Sequence, residues 1–272
     1  MSLPFKVSET AEVGIIGGSG FYDLAENLKE IKVETPYGAP SDKIALGKIA
    51  GKKVAFLPRH GKNHTIPPHQ INFRANLYAL YSLGVKKIIT AHACGSLQKE
   101  IKPGDVVILD QFIDRTRHRQ DTFFDGPIAT HVSSAFPYCD RLRKRAIQSA
   151  KKLSHRFHPQ GTMVVIQGPR FSTAAESLWF TRMGWDVINM TGYPEAVLAR
   201  ELQICYCALA FSTDYDSGVV LASKINPVSA SEVVKVFGQN IGKAKKLILE
   251  MIKDLPDLSD CRCQKALEEA RF

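Results

Sequence analysis

The stretch DVINMTGYPEAVLARELQICYCALAFS, residues 186–212, decides the fold class. A short β-rich run, DVINM at 186–190, precedes a helical pattern that follows Pro194, and the apolar run QICYCALAFS at 203–212 comes next. Strand, helix, strand within so few residues is the unit that lays helices over a mostly parallel or mixed sheet. Similar runs recur outward from it: EVGIIG near 12–17, KIALGKI and KVAFLP near 43–58, KKIITA at 86–91, DVVILDQFID at 105–114 and TMVVIQ at 162–167. Helical patterns lie between several of them. One follows Pro67-Pro68 and ends at Gly84, with Ile71, Ala75, Tyr78 and Tyr81 on a face; others span about 140–154 and about 173–183. The last begins at Ser229, whose spacing to Glu232 is a capping box. Nothing in the sequence reads as a repeat or a Pro-, Gly- or Ser-rich linker. The expectation is an α/β protein, one domain over residues 1–272, with a mixed β-sheet flanked by helices on both faces and a polar C-terminal tail from about 255.

Composition narrows the function classes. Of 272 residues, 44% are hydrophobic and 23% charged, and the net charge is +9. A basic balance suits an anionic partner, but the densest cluster, RLRKRAIQSAKKL at 141–153, spaces Leu142, Ala146, Ile147, Ala150 and Leu153 as one face of an amphipathic helix. Its charges read as the solvated face, so nucleic-acid binding is not expected. No apolar run is long enough to span a bilayer, and MSLPFKVSETAE has no signal-peptide core; the expected compartment is the cytoplasm, with no membrane partner. The six cysteines show neither paired CxxC motifs nor zinc-type histidine spacing, so no metal is expected. Cys205 and Cys207 read as small buried hydrophobes in a strand. Pairing among Cys139, Cys205, Cys207, Cys261 and Cys263 stays open, because free thiols and disulfides are both compatible with the spacing.

Ligands of such sheets bind outside the carboxyl ends of the strands. After the first strand comes GIIGGSGFYD, Gly14 to Asp23, which can bring backbone N–H groups and the Ser19 hydroxyl around an oxyanion. It lacks the third glycine of a dinucleotide fingerprint and the Gly-Lys-Ser/Thr of a Walker loop; a plain tight turn is the alternative. Arg59-His60 follows the next run, and arginine is the permanently charged donor suited to phosphate. AHACGSL at 91–97 offers small residues against which a ligand could lie. Thr191 ahead of Pro194 builds either an anion site at a helix start or an ordinary N-cap. Finally, Asp214 and Asp216 follow the run ending in AFS. Residues two apart on an extended chain share a face, and two close, buried carboxyls disfavour double ionisation. A solvated turn before Gly218 fits the same spacing.

Taken in order, VGIIGGSGFYD (13–23), TPYGAPSD (35–42), RHGKNHTIPPHQINFRAN (59–76), ACGSL (93–97), KPGDVVILDQFIDRT (102–116), GTMVVIQGPRFST (161–173), DVINMTGYPEAVLARE (186–201) and STDYDSG (212–218) resemble the purine nucleoside phosphorylase family, in its methylthioadenosine-cleaving subfamily. The resemblance implies attack of inorganic phosphate, a co-substrate, on 5′-methylthioadenosine, giving adenine and 5-methylthioribose 1-phosphate without a cofactor. It implies phosphate contacts from Ser19, Arg59, His60, the Ala93 backbone and Thr191, with His92 standing where relatives often carry Thr or Asn. It places ribose at Met190, the base near Phe171 and Ile188, and a 5′ pocket at Ala230, Val233 and Val234. Asp214 would donate to purine N7, with Asp216 assisting. Relatives acting on 6-oxopurines carry Asn at the first of these positions, so Asp214 favours adenine; a broader purine specificity is the alternative. His131 resembles a residue lent to a neighbouring subunit, in a homo-oligomer that is a trimer or hexamer.

Overall fold

The computed structural model describes residues 9–17, 26–223, 230–268 and 270, leaving undescribed the side chains of 222, 223, 230, 232–234, 237 and 239. Its strands are β1 (Val13–Gly17), β2 (Glu26–Ile31), β3 (Ile44–Ile49), β4 (Lys52–Pro58), β5 (Lys87–Ser96), β6 (Val106–Ile108), β7 (Gln111–Arg115), β8 (Phe157–His158), β9 (Thr162–Ile166), β10 (Val187–Asn189) and β11 (Cys205–Tyr215). They form one sheet in the order β2-β3-β4-β1-β5-β10-β9-β7, with β11 added against β5 and β6, and β8 against β6. β1 is parallel to β4 and β5, and β11 is parallel to β5. β10 runs antiparallel to β5, and β3 antiparallel to β4, so the sheet is mixed.

Helices are α1 (Phe73–Ser82), α2 (Asp140–Lys152), α3 (Ala174–Arg182), α4 (Gly192–Glu201), α5 (Ser217–Ser223) and α6 (Ala230–Lys253). Alternation along the central strands splits the core in two. On one face Ile16, Leu57, Ile88, Tyr206 and Ala208 pack with Leu77 and Leu80 of α1 and Leu198 and Ala199 of α4. On the other Ile15, Phe56, Ile89, Cys207 and Leu209 pack with Leu142 and Ala146 of α2 and Leu247 and Ile248 of α6. The expected α/β class with both faces covered is therefore observed. Among the described residues no helix is long and apolar enough to cross a membrane.

Two departures from the sequence expectation matter for the site. The helix after Pro67-Pro68 begins only at Phe73: residues 68–70 form a 3-10 turn, Ile71 is extended, and Asn72 caps α1 by accepting from the Ala75 N–H at 3.1 Å. The β5–β11 register also slips, Ser212 opposing Cys94 and Asp214 opposing Gly95, so Thr213 is an extra residue. Such a bulge re-aims the side chains beyond it.

Candidate active site

β4, β1, β5 and β11 end side by side, and the residues after them meet there. Arg59 follows β4 directly, its backbone N–H bonded to Gly17 O at 3.0 Å. The residue is 3% exposed. Nε and Nη2 donate to the carboxylate of Glu195 on α4, Nη2 also to Thr90 Oγ1, and Nη1 to Ala91 O at 3.2 Å. Glu195 is wholly buried and accepts the Tyr206 hydroxyl as well, at 2.8 Å. Four of the five guanidinium N–H bonds are thus committed to described residues, and one Nη1–H has no partner among them and is available to a ligand. Burying the cation opposes its charge, but Glu195 more than offsets this and holds Arg59 above its ordinary pKa.

His60 is tied by Nδ1 to Ile66 O at 2.8 Å. A carbonyl can only accept, so the proton sits on Nδ1 and Nε2 presents a lone pair. Burial first, then the charges of Arg59 and His64, push its pKa down to about 4. The His64 ring stacks on it at 4.3 Å.

His92, 1% exposed, bridges Thr90 Oγ1 (3.3 Å, Nε2) and Thr191 Oγ1 (3.2 Å, Nδ1). Arg59 can only donate to Thr90, which leaves the Thr90 hydroxyl hydrogen for Nε2. His92 then donates through Nδ1 to Thr191, and Thr191 passes its own hydrogen to Asn189 Oδ1 at 3.1 Å. Burial, aided by Arg59, keeps the imidazole neutral, its pKa well below the ordinary value. Thr191 itself makes no capping bond. Asn189 does that work: Oδ1 accepts the N–H groups of Thr191 (2.5 Å) and Gly192 (2.8 Å), while Nδ2 donates to Ala93 O at 2.8 Å. The expected helix-start N–H groups are therefore already partly satisfied by a side chain.

The other end of the site lies at Gly95, two residues beyond Ala93 along β5, roughly 7 Å at strand rise. A Cβ at Gly95 would come within 3.0 Å of Ile188 Cγ2, 3.2 Å of Asp214 Oδ2 and 3.5 Å of Asp216 Cβ. The missing side chain lets an apolar wall and an acid pair converge on one spot. The two acids arrive differently. Asp214 stands in β11 just past the bulge, with Oδ1 accepting the Thr213 hydroxyl. Asp216 lies beyond the strand, its N–H bonded to Ser96 O at 2.8 Å. It is 7% exposed, and burial raises its carboxyl pKa against the opposing hydrogen bonds from Ser177 and Ser217. Its Oδ2 is buried and has no hydrogen-bond partner among the described residues.

Met190 sits between the two ends. Its carbonyl accepts from Arg119 Nη2 at 2.8 Å, and the same guanidinium holds Gln167 O at 3.0 Å and Tyr193 O. Arg119 lies over the Phe73 ring at 5.2 Å, and burial pushes its pKa down to about 10. It fastens the turn bearing Met190 and Thr191 to the Gly168–Phe171 loop. Phe171 on that loop is 45% exposed. His131 lies on an exposed loop, held by its N–H to Ala270 O at 2.7 Å. Ser19 lies outside the described residues, as do the side chains of Ala230, Val233 and Val234. Sequence reasoning missed Glu195, Asn189 and Arg119. Glu195 and Asn189 stood inside quoted motifs, but their roles appear only once the chain is folded; Arg119 had no signal among the neighbouring basic residues.

Comparison with known proteins adds independent information. The family model described as the phosphorylase superfamily matches residues 12–253. An S-methyl-5′-thioadenosine phosphorylase of Thermofilum pendens is 51% identical over 264 residues, covering 96% of this chain and 99% of the relative. A purine nucleoside phosphorylase of Streptomyces coelicolor is 46% identical, covering 94% of each. Among solved structures, methylthioadenosine phosphorylase from Schistosoma mansoni in complex with adenine matches with a TM-score of 0.90 at 36% identity, covering 96% of this chain and 99% of that one.

Proposed function

The chain belongs to the phosphorylase superfamily, and from that premise we propose that it cleaves 5′-methylthioadenosine with inorganic phosphate, releasing adenine and 5-methylthioribose 1-phosphate. The observation that carries the reading is the convergence of the Ile188 side chain and the Asp214 carboxyl over Gly95, an apolar wall and an acid facing one spot.

As phosphate attacks the anomeric carbon, positive charge grows on the sugar and the N-glycosidic electrons move onto the purine. A hydrogen-bond donor at N7 stabilises the departing base. Protonated Asp214 supplies it, and its remaining oxygen accepts from the 6-amino group. Asp216, buried beside it, disfavours a second negative charge and holds the neighbouring turn. At the other end Arg59 offers its remaining Nη1–H to phosphate. His60, neutral with its Nε2 lone pair outward, accepts a hydrogen bond from the hydroxyl of a hydrogen phosphate, and so favours a protonated phosphate oxygen at that position. Thr191, Ala93 and Ser19 complete the assigned cradle, with His92 orienting Thr191. Ribose lies along Met190, with Phe171 over the base and Ala230, Val233 and Val234 at the methylthio group.

The remaining parts of the reading follow the family. It needs no cofactor, and it carries a cytoplasmic location, a single domain with a tail from about 255, and a homo-oligomer, trimer or hexamer, in which His131 serves a neighbour. The family match ending at residue 253 supports the tail boundary. The relative named purine nucleoside phosphorylase favours a second reading, a broader purine specificity. Initial rates of base release with 5′-methylthioadenosine, adenosine and inosine, each with and without phosphate, test both. Phosphate-dependent adenine release fastest from methylthioadenosine is expected; inosine as the best substrate would reverse the order, and release without phosphate would end the proposal.

A further inference from the structure

We propose that Cys139, Cys205, Cys261 and Cys263 form a tetrathiolate zinc site that fastens the C-terminal segment to the sheet. Their four sulfurs all lie within 4.8 Å of one another and all four residues are buried. Tetrahedral zinc with Zn–S bonds of about 2.3 Å needs sulfur–sulfur edges of about 3.8 Å. The Cys139–Cys261 separation is 3.7 Å.

The contacts are shared rather than paired. Cys205 meets both Cys139 and Cys263, and Cys263 also meets Cys261. A set of disulfides would single out one partner for each sulfur, whereas a central ion engages all four alike. The ligands come from three places: the residue before α2, the first residue of β11, and both ends of the Cys261-Arg-Cys263 segment at a 3-10 turn. Cys139 occupies the N-cap of α2, where the positive end of the helix dipole suits a coordinated thiolate. Loading breaks four S–H bonds, releases four protons to solvent and forms four Zn–S bonds; nothing is oxidised or reduced. Cys207, also buried, stands outside the group.

The location gives the ion a structural task. The tail it would hold accepts Gln203 Nε2 at Gln264 O and the His131 N–H at Ala270 O. Fixing the tail therefore steadies the loop that carries His131.

The test is zinc content of the full-length purified protein by plasma mass spectrometry, with intact mass before and after reduction. About one zinc per chain is expected, released when a mercurial titrates the thiols. Cys263→Ser and Cys139→Ser should each lose most of it, while Cys207→Ser keeps it. Should these variants not fold, cobalt(II) exchanged into the wild type serves instead, the visible bands of a tetrahedral thiolate complex being expected. A zinc-poor protein with four freely reactive thiols, a mass that rises on reduction as disulfides open, or a cobalt spectrum without thiolate bands would each overturn the proposal.

Discussion

Gly95→Ala places a methyl group where Ile188 and Asp214 converge. The added carbon would stand 3.0 Å from Ile188 Cγ2 and 3.2 Å from Asp214 Oδ2, both tighter than ordinary contact. Neither neighbour yields easily: isoleucine is stiff at χ1, and Asp214 is held by Thr213. Overpacking of this kind costs about 1–3 kcal/mol. Expressed in transition-state binding, that is a loss of roughly 5- to 150-fold in kcat/KM. The loss should fall on the nucleoside when its concentration is varied at saturating phosphate, and spare the phosphate KM. Steady-state phosphorolysis and thermal melting of the same preparation read it out. Wild-type nucleoside kinetics in a folded variant would refute the base niche, and so would a defect confined to phosphate.

Arg119→Ala removes the donors on the Gln167, Met190 and Tyr193 carbonyls; kcat should fall by about 1–3 kcal/mol of lost positioning, about 5- to 150-fold, with partial rescue by added guanidinium, which a merely destabilised protein would not show. Acid stability should follow His60. Its folded pKa of about 4 lies below the unfolded value of about 6.5, so the unfolded chain binds more protons between them. Stability is therefore present above pH 6.5 and lost as pH falls toward 4, by about 3 kcal/mol from this group. Urea midpoints against pH should show a shallower fall for His60→Asn than for wild type.

Much of the fold was readable because apolar runs and amphipathic spacing are local properties. Residues 186–212 form strand, helix and strand as read, with β10, α4 and β11 where expected. Arg59 stands directly after β4 at the carboxyl edge of the sheet, as its place after an apolar run suggests, whereas Asp214 still lies within β11. What failed depended on pairing between distant segments. Two-residue spacing predicts Asp214 and Asp216 on one strand face, but the register shift at Thr213 and the end of β11 at Tyr215 bring them to Gly95 from different elements. Thr191 reads as either an anion site at a helix start or an N-cap, yet Asn189 Oδ1 takes its N–H and that of Gly192. Arg59 reads as a free phosphate donor, and only the fold reveals the buried Glu195 that occupies two of its donors. Cys139 and Cys205 come beside Cys261 and Cys263 only through the fold, which no local spacing announces.

The most direct measurement is substrate preference of Asp214→Asn. An amide at 214 cannot give a proton to N7, and it donates where a 6-oxo group accepts. General acid assistance is worth about 10²–10⁴ in rate, so phosphate-dependent cleavage of methylthioadenosine should drop by at least about a hundredfold. The ratio of inosine to methylthioadenosine turnover should rise. A variant that cleaves methylthioadenosine at near wild-type rate, with that ratio unchanged, would contradict the account.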